Sequence, residues 1–171
     1  SGIPAERIVY SGVGKTREEI DYALREDILM FNIESAQELE AIDQRAGAMR
    51  ARARIALRVN PDVDPKTHPY ISTGLKKNKF GIDIEQAMQS YERARTLEHV
   101  DVVGIDCHIG SQLTEIPPFV EALERLKALV CRLGENGTGI RYLDLGGGLG
   151  ISYHEEEPPH PREYARAILE G

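Results

Sequence analysis

Residues 140–148 read Ile-Arg-Tyr-Leu-Asp-Leu-Gly-Gly-Gly, an apolar run that ends directly in glycines. Four similar apolar runs precede it, at residues 8–10, 28–33, 55–59 and 100–107. These runs are mostly continuous rather than alternating, which is typical of strands that are buried on both faces of a parallel sheet. The sequence therefore predicts five buried parallel strands.

Amphipathic stretches separate the runs, and three of them start with a recognisable helix signal. Thr16, Ser35 and Asp83 each lie three residues before a Glu or Gln, which is the spacing of a capping box. A fourth helix is expected after Thr114 and a fifth from about Pro161. Strand and helix thus alternate five times, which predicts an α/β fold with a parallel sheet and right-handed crossovers.

Two architectures fit this alternation, a doubly wound sheet and a (β/α)₈ barrel. In a barrel the loops at the C-terminal ends of many strands converge on one site, whereas an open sheet concentrates function at one switch point. Nearly every predicted strand ends in polar or glycine residues, namely Ser11-Gly12-Val13-Gly14, Asn32-Ile33-Glu34-Ser35, Arg58-Val59-Asn60-Pro61, His108-Ile109-Gly110-Ser111 and Gly146-Gly147-Gly148. We therefore expect residues 1–171 to form one domain, an incomplete parallel (β/α) barrel with about five of the eight units.

The composition excludes several classes of function. The chain has 171 residues with 21 Lys and Arg against 28 Asp and Glu, a net charge of -7 that disfavours a nucleic-acid partner. No apolar run approaches the roughly 18 to 20 residues of a membrane span, and no secretory signal is visible, so a cytoplasmic location is expected. Cys107 and Cys131 are too few for a disulfide framework and are interpreted as small core residues.

The glycines at 146–148 are the strongest candidate for a binding site. Glycines directly after a strand let backbone amides approach an anion closely, and phosphate is the anion most often bound in this way. The spacing matches neither GxGxxG nor a P-loop, which argues against dinucleotides and nucleoside triphosphates, and a tight turn without a ligand remains the alternative. His108 and Ser111 follow the preceding strand, so an imidazole and a hydroxyl should lie beside the glycines.

Two further polar clusters are candidate sites. Residues 68–74, His-Pro-Tyr-Ile-Ser-Thr-Gly, belong to a connection of about 20 residues, the length expected of a binding loop, although a solvated basic loop is the alternative. Residues 154–160 contain two histidines and three glutamates, but intervening prolines prevent an HExxH helix. This second cluster is interpreted as solvated surface, and no metal site is predicted.

Taken together, the motifs resemble those of the diaminopimelate decarboxylases over essentially the whole chain, in order and at the spacing of that family. The motifs are Ser11-Gly12-Val13-Gly14-Lys15, Phe31-Asn32-Ile33-Glu34-Ser35, Arg58-Val59-Asn60-Pro61, residues 68–74, Lys79-Phe80-Gly81, His108-Ile109-Gly110-Ser111-Gln112 and Leu143-Asp144-Leu145-Gly146-Gly147-Gly148. The last two are shared more loosely with ornithine and arginine decarboxylases. The resemblance implies pyridoxal 5'-phosphate bound to an alanine-racemase-like (β/α)₈ barrel, and conversion of meso-diaminopimelate to lysine and CO₂.

The resemblance also assigns roles to residues of this chain. It implies that His108 stacks on the pyridine ring, and that Ser111 with Gly146, Gly147 and Gly148 holds the phosphate. It places Arg58 near the phenolic oxygen of the cofactor. A substrate-bordering role follows for the loop that contains His68, Tyr70 and Thr73.

Other family features have no counterpart in the sequence. The lysine that forms a Schiff base with the cofactor would lie on a strand before residue 8, in a Lys-Ala-Asn motif, so no catalytic residue is assigned in this chain. The later Glu-Pro-Gly-Arg motif and the C-terminal β domain have no counterpart either. We therefore expect a fragment, inactive alone, of a homodimeric enzyme that acts on a small amino acid. The alternatives are a natural minimal protein, a related decarboxylase of arginine, ornithine or carboxynorspermidine, and a non-catalytic pyridoxal-phosphate carrier.

Overall fold

The computed structural model describes residues 2–64 and 80–171. These residues form six strands and five α-helices, preceded by a 3₁₀ turn at Ala5–Arg7. The strands are β1 Val9–Tyr10, β2 Met30–Ile33, β3 Ala53–Asn60, β4 Ile82–Asp83, β5 Val100–Asp106 and β6 Tyr142–Asp144. The helices are α1 Arg17–Glu26, α2 Ala36–Met49, α3 Ile84–Thr96, α4 Pro117–Glu135 and α5 Pro161–Glu170.

The strand order identifies the architecture. The sheet runs β1-β2-β3-β5-β6, and every pairing is parallel. A doubly wound sheet reverses its strand order at a switch point, whereas the strands of a barrel pair in chain order. The prediction of an incomplete (β/α) barrel with five units is confirmed. The additional strand β4 pairs only with the end of β3 and, at two residues, is too short to be predicted from hydrophobic periodicity.

The outermost strands are shorter than the apolar runs that predict them. Residues 140–145 give a strand only over Tyr142–Asp144, and residues 8–10 give one over Val9–Tyr10. Among the described strands, each of these two has a partner on one side only. Their side chains are accordingly half-buried or exposed, whereas β2 is buried throughout.

The main apolar core lies between the sheet and the helices. The strands contribute alternate side chains, because successive residues of a strand point to opposite faces. The fully buried members with the largest side chains are Phe31, Ile33, Ile55, Leu57 and Ile105 from strands, and Leu39, Ile42, Tyr91, Leu126, Leu129 and Leu133 from helices. This core holds the strands side by side and leaves their other face to the barrel interior.

The interior face of the sheet has two parts. A small buried apolar cluster contains Met30, Ala56 and Val103. Gly104 belongs to the same layer, since a Cβ added there would lie 3.1 Å from the Ala56 Cβ and 3.2 Å from the Met30 sulfur. The next interior residues towards the C-terminal ends of the strands are polar, so the fold presents polar side chains where a barrel places its site.

The helix starts agree with the prediction in position but not in detail. At Thr16 both hydrogen bonds of a capping box form. Ser35 and Asp83 also cap their helices, but no reciprocal carboxylate bond is seen among the described residues. Glu38, which would close the box at Ser35, instead binds Lys15 at 2.6 Å. The predicted boxes at Ser35 and Asp83 are therefore wrong, and at Ser35 the reason is that Lys15 competes for the Glu38 carboxylate.

The two cysteines differ in their surroundings. Cys107 is buried in the main core. Cys131 is exposed on α4, on the face opposite the buried stripe, so the interpretation of both cysteines as core residues is wrong for Cys131. No helix in residues 2–64 and 80–171 is long and apolar enough to cross a membrane.

Candidate functional site

The loops that follow β5 and β6 are joined along their length. The Cys107 amide donates to the Asp144 carbonyl at 2.9 Å, at the ends of the two strands. Leu113 then donates to the Gly148 carbonyl at 2.9 Å and accepts from the Gly150 amide at 2.8 Å. These bonds bring His108 and Ser111 into one neighbourhood with the three glycines, as the sequence predicts.

The three glycines of this loop differ in how closely other backbone atoms approach them. All have positive φ, at 74° for Gly146, 92° for Gly147 and 96° for Gly148, a region that favours glycine. An added Cβ would lie 2.4 Å from the Cys107 carbonyl at Gly146 and 1.9 Å from the Gly110 carbonyl at Gly148. At Gly147 it would meet no atom of the described residues within 4 Å. Packing therefore requires two of the glycines, and the third borders open space.

The amides of this loop are not equally available. Gly146 donates to the Asp144 carboxylate at 2.8 Å, and Gly147 donates to the Leu145 carbonyl at 2.9 Å. The Gly148 amide has no acceptor within the part of the chain that the structure describes. The exposed Ser111 lies on the adjoining loop. Gly148 and Ser111 are therefore the donors best placed to receive an anion.

His108 is half-buried beside the same loop, since an added Cβ on Gly146 would lie 2.9 Å from its Nδ1. Burial lowers the pKa of His108, and the positive charge of Arg58 lowers it further. A histidine with a lowered pKa is neutral at physiological pH. The ring is therefore suited to stacking against a planar group rather than to donating a proton.

Arg58 is fixed by a buried ion pair on the interior face. Its Nη1 donates to both carboxylate oxygens of Glu34, each at 2.8 Å, and the Glu34 side chain is only 4% exposed. Neighbouring strand ends supply the two residues, because Arg58 lies on β3 and Glu34 follows β2. No role was predicted for Glu34 beyond its place in the polar end of its strand, and that place directly after a strand was the available signal.

A second group of polar side chains lies on the same interior face. Asn32 donates to Ser11 Oγ at 2.7 Å and to Asp144 Oδ2 at 2.9 Å. Asp106, on β5, is 3% exposed. Burial, reinforced by the charge of Asp144, raises the pKa of Asp106 to about 7. Neither residue was assigned a role in a site, because Asp106 lies within an apolar run that indicates only a strand and Asn32 was noted only as part of the polar end of its strand.

Lysines in the described part of the chain are engaged elsewhere. Lys15 is buried and donates to the Gly12 carbonyl at 2.8 Å, the Asn32 carbonyl at 2.7 Å and the Glu38 carboxylate at 2.6 Å. Lys127 lies on the outer helix α4 and pairs with Glu124 at 3.1 Å. Neither amine is free to react with a ligand at the strand ends.

The two other polar clusters predicted from the sequence have different outcomes. His68, Tyr70 and Thr73 lie outside the described residues. Residues 154–157 are exposed. Within residues 2–64 and 80–171, no group of three or more His, Cys, Asp or Glu side chains could hold a metal ion.

The chain is similar in sequence and in structure to diaminopimelate decarboxylases. Diaminopimelate decarboxylase of Pseudomonas aeruginosa is 56% identical over 169 residues, which is 99% of this chain and 40% of that protein. The Haemophilus influenzae protein of the same name is 55% identical over 170 residues, covering 99% and 41%. The crystal structure of Helicobacter pylori diaminopimelate decarboxylase complexed with L-lysine superposes with a TM-score of 0.91 at 43% identity, covering 99% of this chain and 43% of that one.

The chain spans about 40% of the length of the curated relatives it matches. Its residues 1–171 match the family described as the pyridoxal-dependent decarboxylases, pyridoxal binding domain. The match covers every residue of the site described above. The chain therefore belongs to the pyridoxal-binding barrel domains of the pyridoxal-dependent decarboxylases, and within them it is similar to diaminopimelate decarboxylase.

Proposed function

We propose that the full-length protein decarboxylates meso-diaminopimelate to lysine, and that this chain supplies the binding surface for the phosphate and one face of the ring of pyridoxal 5'-phosphate. The observation that carries the proposal is the joined pair of loops at the ends of β5 and β6, which leave an open glycine and a free amide side by side. The choice of substrate is supported by 56% identity to a diaminopimelate decarboxylase over 99% of the chain.

The glycine loop fits a phosphate. The open space at Gly147 admits an oxygen of the ligand where any side chain would stand. The free Gly148 amide and the Ser111 hydroxyl are donors suited to phosphate oxygens. In this assignment the Gly146 and Gly147 amides hold the loop in shape, through Asp144 and Leu145, rather than binding the anion directly.

His108 and Arg58 fit the ring of the cofactor. The neutral imidazole of His108 stacks on one face of the pyridine ring and keeps water from it. Arg58, held by Glu34, directs its charge towards the phenolic oxygen. The buried ion pair fixes the direction of the guanidinium before the ligand arrives, so little side-chain entropy is lost on binding.

When bound, pyridoxal phosphate supplies the electron sink that accepts the electron pair left by the departing carboxylate. The residues of this chain contribute orientation and electrostatics. Lys15 donates three hydrogen bonds within the chain, so it is not the amine that reacts with the cofactor.

The proposal is tested with the full-length protein supplied with pyridoxal phosphate. Release of CO₂ is measured separately from meso-diaminopimelate, ornithine and arginine, together with the absorbance of the bound cofactor. We expect cofactor binding and CO₂ release from meso-diaminopimelate alone. Release from ornithine or arginine instead would replace the substrate assignment, and binding without release from any of the three would favour a non-catalytic carrier.

A further inference from the structure

Three side chains lie next to one another on the interior face, below the proposed cofactor site. The strand register pairs Arg58 with Asp106 and Asp106 with Asp144. Residues paired in register on parallel strands point to the same face and lie about 4.8 Å apart. Two carboxyl groups are thus direct neighbours in the interior, and one of them, Asp106, is almost fully buried.

In this group of side chains, one hydrogen-bond acceptor has no described donor. Asp144 accepts from the Gly146 amide on one oxygen and from Asn32 on the other. The Asn32 amide nitrogen donates both of its hydrogens in hydrogen bonds, one to Ser11 and one to Asp144. The amide oxygen of Asn32, a residue 1% exposed, has no donor among the described residues. A buried acceptor without a donor is costly, so the cluster lacks one hydrogen.

Asp106 is the carboxyl group of this layer that can carry a proton without losing a described hydrogen bond, because Asp144 and Glu34 each accept on both oxygens. No side chain or loop amide in residues 2–64 and 80–171 donates to its carboxyl group, so no described hydrogen bond stabilises the ionised form. Asp106 is the register partner of Asp144, to which Asn32 is bonded, and a protonated carboxyl is a donor. A proton on Asp106 would therefore relieve the repulsion between the two carboxyl groups and add a donor to a group of residues that is short of one.

The charges around Asp106 also affect whether it is protonated. Asp144 on β6 and Glu34 after β2 raise the pKa of Asp106, in addition to its burial. Arg58 on β3 and Lys15 after β1 act in the opposite direction. Each of these cations also binds another carboxylate, Arg58 that of Glu34 and Lys15 that of Glu38. The balance leaves the pKa of Asp106 at about 7.

We propose that Asp106 is a positioning residue for the anionic cofactor, one that holds a proton while the cofactor binds. The protonated group completes the polar layer beneath His108 and leaves the charge of Arg58 for the ligand. Once ionised, Asp106 adds a negative charge beside Arg58, and the affinity for an anion falls. This inference rests on the proposed function, since it takes pyridoxal phosphate as the ligand.

The test measures the dissociation constant of pyridoxal phosphate from the full-length protein, by absorbance, between pH 6 and pH 9. In the wild type we expect binding to weaken by about tenfold more between pH 6.5 and pH 8.5 than in Asp106→Asn, whose amide donates but does not ionise. Asp106→Ser, which also donates without ionising, should behave in the same way. Ionisation of the ligand itself is common to all proteins and cancels in the comparison.

A matched control is Asp101→Asn, the same substitution on the same strand. Asp101 is 46% exposed in its side chain and pairs with Arg52 at the opposite end of β5. We expect its pH profile to follow the wild type. Profiles of Asp106→Asn and Asp106→Ser that run parallel to the wild type would overturn the role of Asp106, whereas no binding by any of the proteins would overturn the proposed function.

Discussion

The two faces of the sheet differ in what they contribute. On the outer face, alternate residues of β2, β3 and β5 join the helices in a fully apolar core. On the inner face, the same strands carry Asn32, Arg58 and Asp106, which are buried or nearly so and polar. The outer face therefore supplies stability, whereas the inner face uses buried polar groups that cost stability to prepare a site. Substitutions at neighbouring positions of one strand should separate the two contributions.

The largest effect is expected on the outer face. Leu57 on β3 is fully buried in the main core, one position before Arg58. Leu57→Ala in the full-length protein should lower the free energy of unfolding by about 2–5 kcal/mol, because it removes buried apolar surface and leaves a cavity. Denaturant unfolding measures the loss. A loss below about 1 kcal/mol would mean that the outer core does not carry the stability of the domain.

On the inner face, stability should depend on pH through Asp106. The pKa of Asp106 is raised in the folded state to about 7, so its stabilising contribution is present at pH values below the unfolded pKa. That contribution is lost as the pH rises through about 7. Asp106→Asn should therefore gain stability relative to the wild type as the pH increases from 4 to 8, by as much as about 4 kcal/mol for a shift of about three pH units.

Unfolding of both full-length proteins at pH 4.5, 6 and 8 checks this sign. Leu57→Ala serves as the control, because its loss should not vary with pH. A gap between Asp106→Asn and the wild type that stays constant from pH 4.5 to pH 8 would contradict a raised pKa.

A valine substitution in the glycine loop can be compared with one elsewhere to separate backbone strain from the loss of pyridoxal phosphate binding. Gly147 and Gly137 both have positive φ, at 92° and 75°, and an added Cβ meets nothing within 4 Å at either position. Valine at either site should therefore cost a similar 1–3 kcal/mol of backbone strain. Only Gly147→Val should also weaken pyridoxal phosphate binding, by about tenfold or more, because its side chain fills the space assigned to the phosphate.

The measurements are the melting temperature and the cofactor dissociation constant of the two full-length variants. Gly137 follows α4, away from the strand ends, and so controls for strain alone. Equal affinities of the two variants for pyridoxal phosphate would remove Gly147 from the phosphate site.

The contrast between the faces also explains what could be predicted from the sequence. Outer-face residues such as Leu57 and Ile105 lie in apolar runs, and the alternation of these runs with helix signals was enough to predict the barrel units. His108 and Gly146 to Gly148 could be predicted because they follow a strand directly, where barrel loops converge.

The inner polar layer could not be predicted in this way. Asn32 and Asp106 stand within apolar runs, and their partners lie on other strands, as with the bond from Asn32 on β2 to Asp144 on β6. Such contacts depend on the closure of the sheet, which local periodicity does not encode. The same limit applies to the diversion of Glu38 from its capping box to Lys15.

The smallest effect is expected at His108, where the contribution is contact with one face of the ring. Its pKa is lowered by burial and by Arg58, so the proposed role is stacking by a neutral ring rather than proton transfer. His108→Phe keeps an aromatic face and should retain most of the affinity for pyridoxal phosphate. His108→Ala should lose about 1 kcal/mol of binding free energy, roughly fivefold in the dissociation constant, which is the usual size of an aromatic contact. Titration of the two full-length variants with pyridoxal phosphate compares them directly. An equal loss in both would show that a hydrogen bond from the imidazole, and not its face, holds the cofactor.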